Sequence, residues 1–331
     1  MKCKKVVQTA AAVSLMAMVF AGCANPRESQ PNAEGLETIR IGLPAAGYGP
    51  YLPVYVAQAE QYFEENGIDA EITVYQGGGA AAEALTAGEA DLISFNPAGV
   101  AVAQSRGVDI KMVGAGMPTS AGWYVVVRSD STATSVADLA GTQVGIGNAG
   151  GTGEFFSLWA EQEAGVDWEN VALGYGALND SLVQGTVSAI VQLPSLSYAL
   201  PISGEGRVLL DLGEAMEPTL PDGWVAPTSS IKDPDKADLI QRALDSIYRG
   251  VTKLQSDKEY ALNQIEEQEG ITGEQAAQEY EKTVMALSTD GEIDPAWIEN
   301  ALELARIAGL DSDSPLPPAR DIYSGKFTPV G

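Results

Sequence analysis

The run Asp138-Leu-Ala-Gly-Thr-Gln-Val-Gly-Ile-Gly-Asn-Ala-Gly-Gly-Thr-Gly-Glu-Phe-Phe-Ser-Leu-Trp159 decides how the rest of the chain is read. Val144 and Ile146 alternate as in a short strand, glycines from Gly145 to Gly153 make a loop poor in side chains, and Glu154 onward has helical patterning. Strand, bare loop and helix start together let a ligand lie against backbone. The free N–H groups and the positive end of the helix dipole favour a negative or electron-rich group there.

Gly145, Gly147 and Gly150 also spell G-x-G-x-x-G in the strand-to-helix context of a dinucleotide fold. That fingerprint needs an acidic residue at the end of the next strand. The next strand, read as Val171 to Tyr175, ends in Gly174 and Tyr175 and offers no carboxylate for a ribose. The nucleotide reading is therefore set aside.

Working back to the start, Lys2, Lys4 and Lys5 precede an apolar run from Val6 to Phe20, closed by Ala21-Gly22-Cys23. Residues 1–22 resemble a bacterial lipoprotein signal, with Cys23 as the lipid-accepting residue; an ordinary cleaved secretory signal is the alternative, and both export the protein. The apolar run is too short for a comfortable transmembrane helix. Removal of Cys3 would leave Cys23 alone, so the mature fold has no internal disulfide to rest on. Residues 23–37, polar with Pro26, Pro31 and Gly35, read as a flexible tether.

The 331 residues carry 45 acidic and 19 basic side chains; without the three signal lysines the charge is −29, from 16 basic residues against the same 45 acids. Such a surface argues against nucleic acid or anionic membrane as partner. The sequence holds no histidine. Ser-His-Asp and Cys-His nucleophile systems and the commonest metal ligand are thereby excluded, and no cofactor or metal is expected. Asp311 and Asp313 lack the further oxygen ligands of a calcium loop and are read as solvating a turn.

From Ile39 the chain alternates strands with helices, which predicts mainly parallel sheets covered on both faces. The order is repeated: Leu85-x-x-Gly88-x-x-Asp91-x-Ile93 in the first half is echoed by Leu182-x-x-Gly185-x-x-Ser188-x-Ile190 in the second. Two sheets of open α/β type place ligands beyond the carboxyl ends of their strands. In the first half the loops there carry Tyr48, Tyr51, Gln76 and Asn96, and in the second Asn148, Thr152, Glu154, Phe155, Asn179 and Gln192. Trp123 is added as a candidate at the passage between halves. These loops hold aromatic walls and neutral polar groups but no lysine or arginine, the composition of a small-molecule cleft. Tyr48 and Tyr51 could instead merely cap the first helix. Toward the C-terminus, Asp233-Pro234 and Asp294-Pro295 read as helix starts, and Thr272 with Gln275 as a capping box. Ile240, Leu244, Ile247, Val251 and Leu254 form a core stripe.

Several segments together resemble the binding proteins of ABC importers for aliphatic sulfonates, taurine, nitrate and thiamine-pyrimidine precursors. They are Ile39-Arg-Ile-Gly-Leu-Pro44, Ala57-Gln-Ala-Glu-Gln-Tyr-Phe-Glu-Glu-Asn-Gly-Ile-Asp69, Ala87-Gly-Glu-Ala-Asp-Leu92, Ser135-Val-Ala-Asp-Leu-Ala-Gly141 and Asp290-Gly-Glu-Ile-Asp-Pro295. The resemblance implies a two-lobed α/β periplasmic-binding-protein fold of type II, closing by a hinge. Lobe I would comprise residues 38–125 and 225–331 and lobe II residues 126–224, with crossings near Trp123–Arg128 and Trp224–Pro227. It also implies a binding protein outside the cytoplasm whose partners are a small-molecule ligand and the permease subunits, with an exported enzyme or sensor accessory on the same scaffold as the remote alternative. Together with the anchor at Cys23 and the missing histidine, the expectation is a monomeric, lipid-anchored protein that is not an enzyme. Ser188 departs from the Asp common at that position in similar proteins. A eukaryotic branch makes the thiamine pyrimidine at the expense of a histidine, with a cysteine-rich segment; this chain has neither.

Ligand charge is where the residues only lean. The cleft loops have no cation, and Glu154 stands at the helix start where an anion would sit. Facing the cleft, its carboxylate would accept from an amino or ring N–H, with Tyr48, Tyr51 or Phe155 stacking on a flat ring. Turned to solvent, it would simply favour the helix dipole. The expectation is a pyrimidine-like or other heteroaromatic ligand, with a sulfonate, taurine or nitrate as the alternative.

Overall fold

The computed structural model of the chain describes residues 35–311 and 314–327. The signal segment, Cys23 and most of the tether lie outside the described residues. Two five-stranded sheets form the body. The first is built from β1 (Glu37–Leu43), β2 (Ile68–Val74), β3 (Leu92–Phe95), β4 (Ile110–Met117) and β10 (Asp222–Pro227), in the spatial order β2-β1-β3-β10-β4. The second is built from β5 (Tyr124–Arg128), β6 (Gln143–Ile146), β7 (Glu169–Ala172), β8 (Ala189–Gln192) and β9 (Gly206–Asp211), in the order β7-β6-β8-β5-β9.

In each sheet four strands run one way and one inserted strand runs against them. β10 is antiparallel to both β3 and β4, with Val225 opposite Ile93 and Ala226 opposite Lys111. β5 takes the same place between β8 and β9, with Val126 opposite Ile190 and Val208. The inserted strands are the ones by which the chain passes between sheets. The passages are residues 118–123 and 212–221, each just ahead of the stretch where the sequence placed it, because Tyr124–Arg128 and Asp222–Pro227 are already ladder-bonded in the sheet they enter. This is the two-lobed periplasmic-binding-protein fold.

Strands covered on both faces must be apolar throughout. Val125, Val126 and Val127 have no exposed surface, and Ile39, Ile41 and Leu43 have essentially none. Each such side chain contributes on the order of 1.5–3 kcal/mol by burial. The repeated helix-to-strand turn holds: Gly88 and Gly185 both take a left-handed conformation, and Leu85 and Leu182 are buried. Asp91 is held by Arg40, whose Nε and Nη2 donate at 2.8 and 2.7 Å, so the acid at that position ties a helix turn to β1. Ser188 stands at the matching turn of the second half, its N–H donating to the Gln143 carbonyl at 2.8 Å as that of Asp91 does to the Arg40 carbonyl. With glutamine in place of arginine, that position offers no cation for an acid to hold.

Asp233 and Asp294 cap their helices as expected, accepting from Asp235 and Lys236 and from Ala296 respectively. The stripe from Ile240 to Leu254 is buried along the Pro234–Ser256 helix. The capping box at Thr272 does not form. Thr272 makes no side-chain cap bond, and Gln275 donates instead to the Ser195 carbonyl at 2.6 Å, a longer-range partner in the second lobe. Among the described residues no helix is long and apolar enough to cross a membrane.

Candidate functional site

The carboxyl ends of both sheets meet around a cavity of about 200 Å³. From the first sheet come the turn after β1 (Pro44, Ala45, Tyr48, Tyr51), the loop after β2 (Gln76 to Ala80), and Phe95 with Asn96 after β3. The second sheet contributes Asn148 to Thr152 after β6, Tyr175 after β7 and Leu193 after β8. Trp123 closes one passage between the sheets, and Pro221 with Asp222 the other.

Asn96 shows how the local sequence sets the geometry. It caps the Pro97–Ser105 helix, its Oδ1 accepting from the Gly99 N–H at 2.7 Å. That fixes the amide so that Nδ2 donates to Thr152 Oγ1 at 3.2 Å, joining the two lobes across the cleft. Aromatic rings form the inner wall. Trp123 meets Phe156, Tyr175 and Tyr48 edge to face, at centroid separations of 5.2, 5.9 and 6.3 Å, and Tyr48 meets Tyr51 at 5.0 Å. The Trp123 Nε1–H is buried and has no acceptor in hydrogen-bonding geometry.

The charge in this cavity is Asp222, at the head of β10. Its carboxylate accepts from Tyr48 Oη at 2.5 Å, Tyr51 Oη at 3.3 Å and Ser94 Oγ at 3.5 Å. Burial pushes the carboxyl up to about 6, while the three hydroxyl donors hold it from rising further. Desolvation and the neighbouring acid raise the Tyr48 and Tyr51 phenols well above their ordinary range, so both stay neutral donors. No lysine or arginine lines the cavity, and no cluster of acids or cysteines among the described residues could hold a metal.

Of the residues singled out in the sequence, Tyr48, Tyr51, Gln76, Asn96, Trp123, Asn148 and Thr152 come together at this cavity. Four do not line it. Glu154 turns back on its own loop, Oε2 accepting from the Gly150 N–H at 2.5 Å. Phe155 is buried in the seam between its helix and the Pro295–Ile307 helix, near Leu220 and Leu304. Gln192 donates to Asn179 Oδ1 and to the Tyr175 carbonyl, both at 3.1 Å, while Asn179 donates to the Leu196 carbonyl at 3.0 Å. These two amides tie the loop after β8 to the helix beginning at Tyr175, behind the cavity wall.

Among the wall residues that were missed, three carry an aromatic ring or a charge: Phe95, Tyr175 and Asp222. Tyr175 was read as a strand end but opens the Tyr175–Val183 helix. Its ring also explains the middle glycine of the dinucleotide-like run, since a Cβ at Gly147 would collide with it. The available signal for Asp222 was an acid opening an otherwise apolar strand, Asp-Gly-Trp-Val-Ala-Pro.

A family profile described as NMT1/THI5 like matches residues 50–261, and the chain belongs to that family. No match is found among curated proteins. Several solved structures share the fold. The periplasmic aliphatic sulphonate binding protein SsuA from Escherichia coli superposes with a TM-score of 0.73 at 20% identity, covering 87% of this chain and 92% of its own. The alkanesulfonate-binding protein SsuA from Xanthomonas axonopodis pv. citri, bound to MOPS, gives 0.70 at 17%, covering 88% and 96%. The desulfurization enzyme DSZB gives 0.62 at 13%, covering 87% and 97%.

Proposed function

We propose that the protein is the extracytoplasmic substrate-binding component of an ABC importer, held to the membrane by a lipid on Cys23, which closes its two lobes on a small organic ligand and passes it to the permease. The fold, the family, the binding-protein relatives and the signal-like N-terminus support this reading. The ligand it favours carries N–H donors on a flat, heteroaromatic frame of pyrimidine-like size. The observation that carries this choice is Asp222, a buried acceptor inside a cavity lined by aromatic rings and no cation. An N–H donor would meet the carboxylate, and the amides of Gln76, Asn96 and Asn148 and the Trp123 indole are within the same wall to satisfy its acceptors.

The alternative ligand is an aliphatic sulfonate, taurine or nitrate, and for the first of these the aliphatic sulphonate binding proteins SsuA speak. Against it, three of the N–H groups that would cradle an anion at the start of the Thr152–Ala164 helix are engaged. Gly150 donates to Glu154, Gly151 to the Asn148 carbonyl at 3.2 Å and Gly153 to Tyr175 Oη at 3.3 Å. A buried carboxylate close by adds repulsion.

A melting screen decides between them. A ligand at about 100 times its dissociation constant adds roughly 2.7 kcal/mol to the folded state and raises the melting temperature by several degrees. N–H-bearing heteroaromatics are expected to score. Stabilisation by alkanesulfonates or nitrate alone would overturn the ligand class and keep the importer role. Recovery of the bound compound chemically altered would overturn the binding role in favour of an enzyme on the scaffold that DSZB also uses.

A further inference from the structure

A pair of acids distinct from Asp222 lies against the turn that carries Tyr48 and Tyr51, Glu269 beside Gly47 and Glu279 beside Gly49. Glu279, in the Gly273–Lys282 helix, is fully buried, and Glu269 ends the Lys258–Glu269 helix with both carboxylate oxygens buried. None of the four oxygens has a partner in hydrogen-bonding geometry. The space is tight: a Cβ on Gly49 would collide with Glu279 Oε1, which leaves little room for a hydrated cation.

What covers the pair comes from the other lobe. The loop after β8 brings in Ser195, in a left-handed conformation, whose Oγ donates to the Gly47 carbonyl at 3.3 Å and whose own carbonyl accepts from Gln275 at 2.6 Å. Three residues on, Tyr198 Oη lies 3.2 Å from Thr283 Oγ1. We propose that docking of the Pro194–Tyr198 loop onto Glu269 and Glu279 is coupled to proton uptake by that pair, so that closure of the lobes is favoured by acid and opposed by alkali.

The physical reason is that two carboxylates cannot stay ionised side by side, out of water and without a counter-charge. Desolvation first, and then the charge of Glu279, raise Glu269; desolvation raises Glu279, with Ser195 and Thr283 near enough only to moderate the effect. The other groups facing the pair do not neutralise it. Tyr198 is raised by its own burial and by both acids, and stays neutral. Lys282, one turn beyond Glu279, is directed to Asp211 at 3.6 Å and over the Tyr124 ring. Lys258 pairs with Glu281 at the surface. Tyr48 and Tyr51 give their hydroxyls to Asp222.

The sign follows from proton counting. With the loop docked the pair binds protons more tightly than in water, so the docked state is most favoured below the ordinary glutamate range and loses ground as pH rises above it. The loss approaches tenfold per pH unit for each proton taken up. The coupling rests on the two lobes opening and closing and not on which ligand is bound, so a failed ligand screen leaves it standing.

The test uses the ligand-free mature chain from Cys23 onward. Small-angle scattering is recorded between pH 7.5 and 9.0, above the range where Asp222 titrates, for the natural sequence and for Glu269→Gln with Glu279→Gln. The natural protein is expected to shift from compact to extended, by about tenfold per pH unit or more in the ratio of the two forms, and the double variant to keep one ratio throughout. Hydrogen exchange at residues 194–198, corrected for intrinsic rate, should follow the same profile. Should the double variant not fold, each single variant is expected to show a shallower slope than the natural protein. A flat profile in the natural protein, or an unchanged slope in the variants, overturns the proposal. So does recompaction at pH 8.5 by added calcium that the variants lack, which would make the pair a cation site.

Discussion

Asp222 at the head of β10 and Glu154 in the first turn of the Thr152–Ala164 helix stand on opposite lobes of one cleft, and they are held in opposite ways. Asp222 is enclosed by aromatic rings and receives three side-chain hydroxyls. Glu154 is half-buried and receives a backbone N–H from its own loop. The first arrangement keeps an acceptor desolvated and aimed at a ligand; the second uses an acid to fasten a glycine loop. Both carboxylates lie near a place where a ligand would bind, and what separates them is whose donors they take. Side-chain donors from a distant turn leave the acid facing the cavity, whereas a donor four residues away turns it back on itself.

The largest effect should come from removing the charge on Asp222. Moving a carboxyl from 3.8 to about 6 costs the ionised native state about 3 kcal/mol relative to the unfolded chain. Because the native state holds this proton more tightly, the contribution of Asp222 to stability without ligand is greatest at low pH and declines as pH rises from about 4 through about 6. Asp222→Asn is expected to remove that share of the decline, leaving the share set by Glu269 and Glu279, and to raise stability at pH 7 by up to about 3 kcal/mol. The same change should weaken an N–H-bearing ligand by about 1.5–3 kcal/mol, the worth of a hydrogen bond to a charged group. Denaturant titrations with and without ligand measure both. A variant that is less stable and binds equally well would break the contrast with Glu154.

The two tyrosines offer a smaller and graded test. Tyr48 gives Asp222 its shortest hydrogen bond and Tyr51 a longer one. Tyr48→Phe should destabilise the protein at pH 7 by about 1–3 kcal/mol, by leaving a buried charge short of a donor, and should push the Asp222 titration higher still. Tyr51→Phe should cost less than half as much. Equal losses would mean that the two hydroxyls hold Asp222 alike despite their different lengths, and negligible losses in both would mean that ring packing, and not the hydrogen bonds, holds the site.

Much of the fold was legible because its signals are local. Alternating strands and helices, a glycine stop after Leu85 and another after Leu182, and aspartates ahead of Pro234 and Pro295 each act within a few residues. The cavity loops were legible for a related reason: in an open α/β sheet the carboxyl ends of the strands are where ligands go, and Tyr48, Gln76, Asn96, Asn148 and Thr152 all sit there. Asp222 was not legible, since its role is conferred by Tyr48, 174 residues earlier in the chain, and no period or spacing connects them. Asn179 and Gln192 misled in the converse manner. They have the residue types of a binding wall at the right strand ends, but they satisfy each other. The capping box at Thr272 failed for the same kind of reason, its Gln275 being claimed by the other lobe.

Glu154 gives the smallest expected effect and the sharpest test of the contrast. Read from the sequence, Glu154→Gln would remove a charge-assisted hydrogen bond to the ligand and cost about 1.5–3 kcal/mol of affinity. In the structure the carboxylate is engaged by the Gly150 N–H, so the change substitutes a neutral amide oxygen for a charged one within a loop, and leaves the ligand's own contacts alone. Two modest losses remain. The hydrogen bond to Gly150 weakens, and an acidic residue is lost from the first turn of the helix, each on the order of 0.3–1 kcal/mol in stability. Ligand affinity should therefore change by less than about 0.5 kcal/mol, while the melting temperature falls slightly. Calorimetric titration of Glu154→Gln beside Asp222→Asn, with whichever compound the melting screen identifies, compares the two acids directly. If Glu154→Gln proved the more damaging to binding, the glycine loop would have to release Glu154 toward the ligand, and Asp222 would be left as a structural acid.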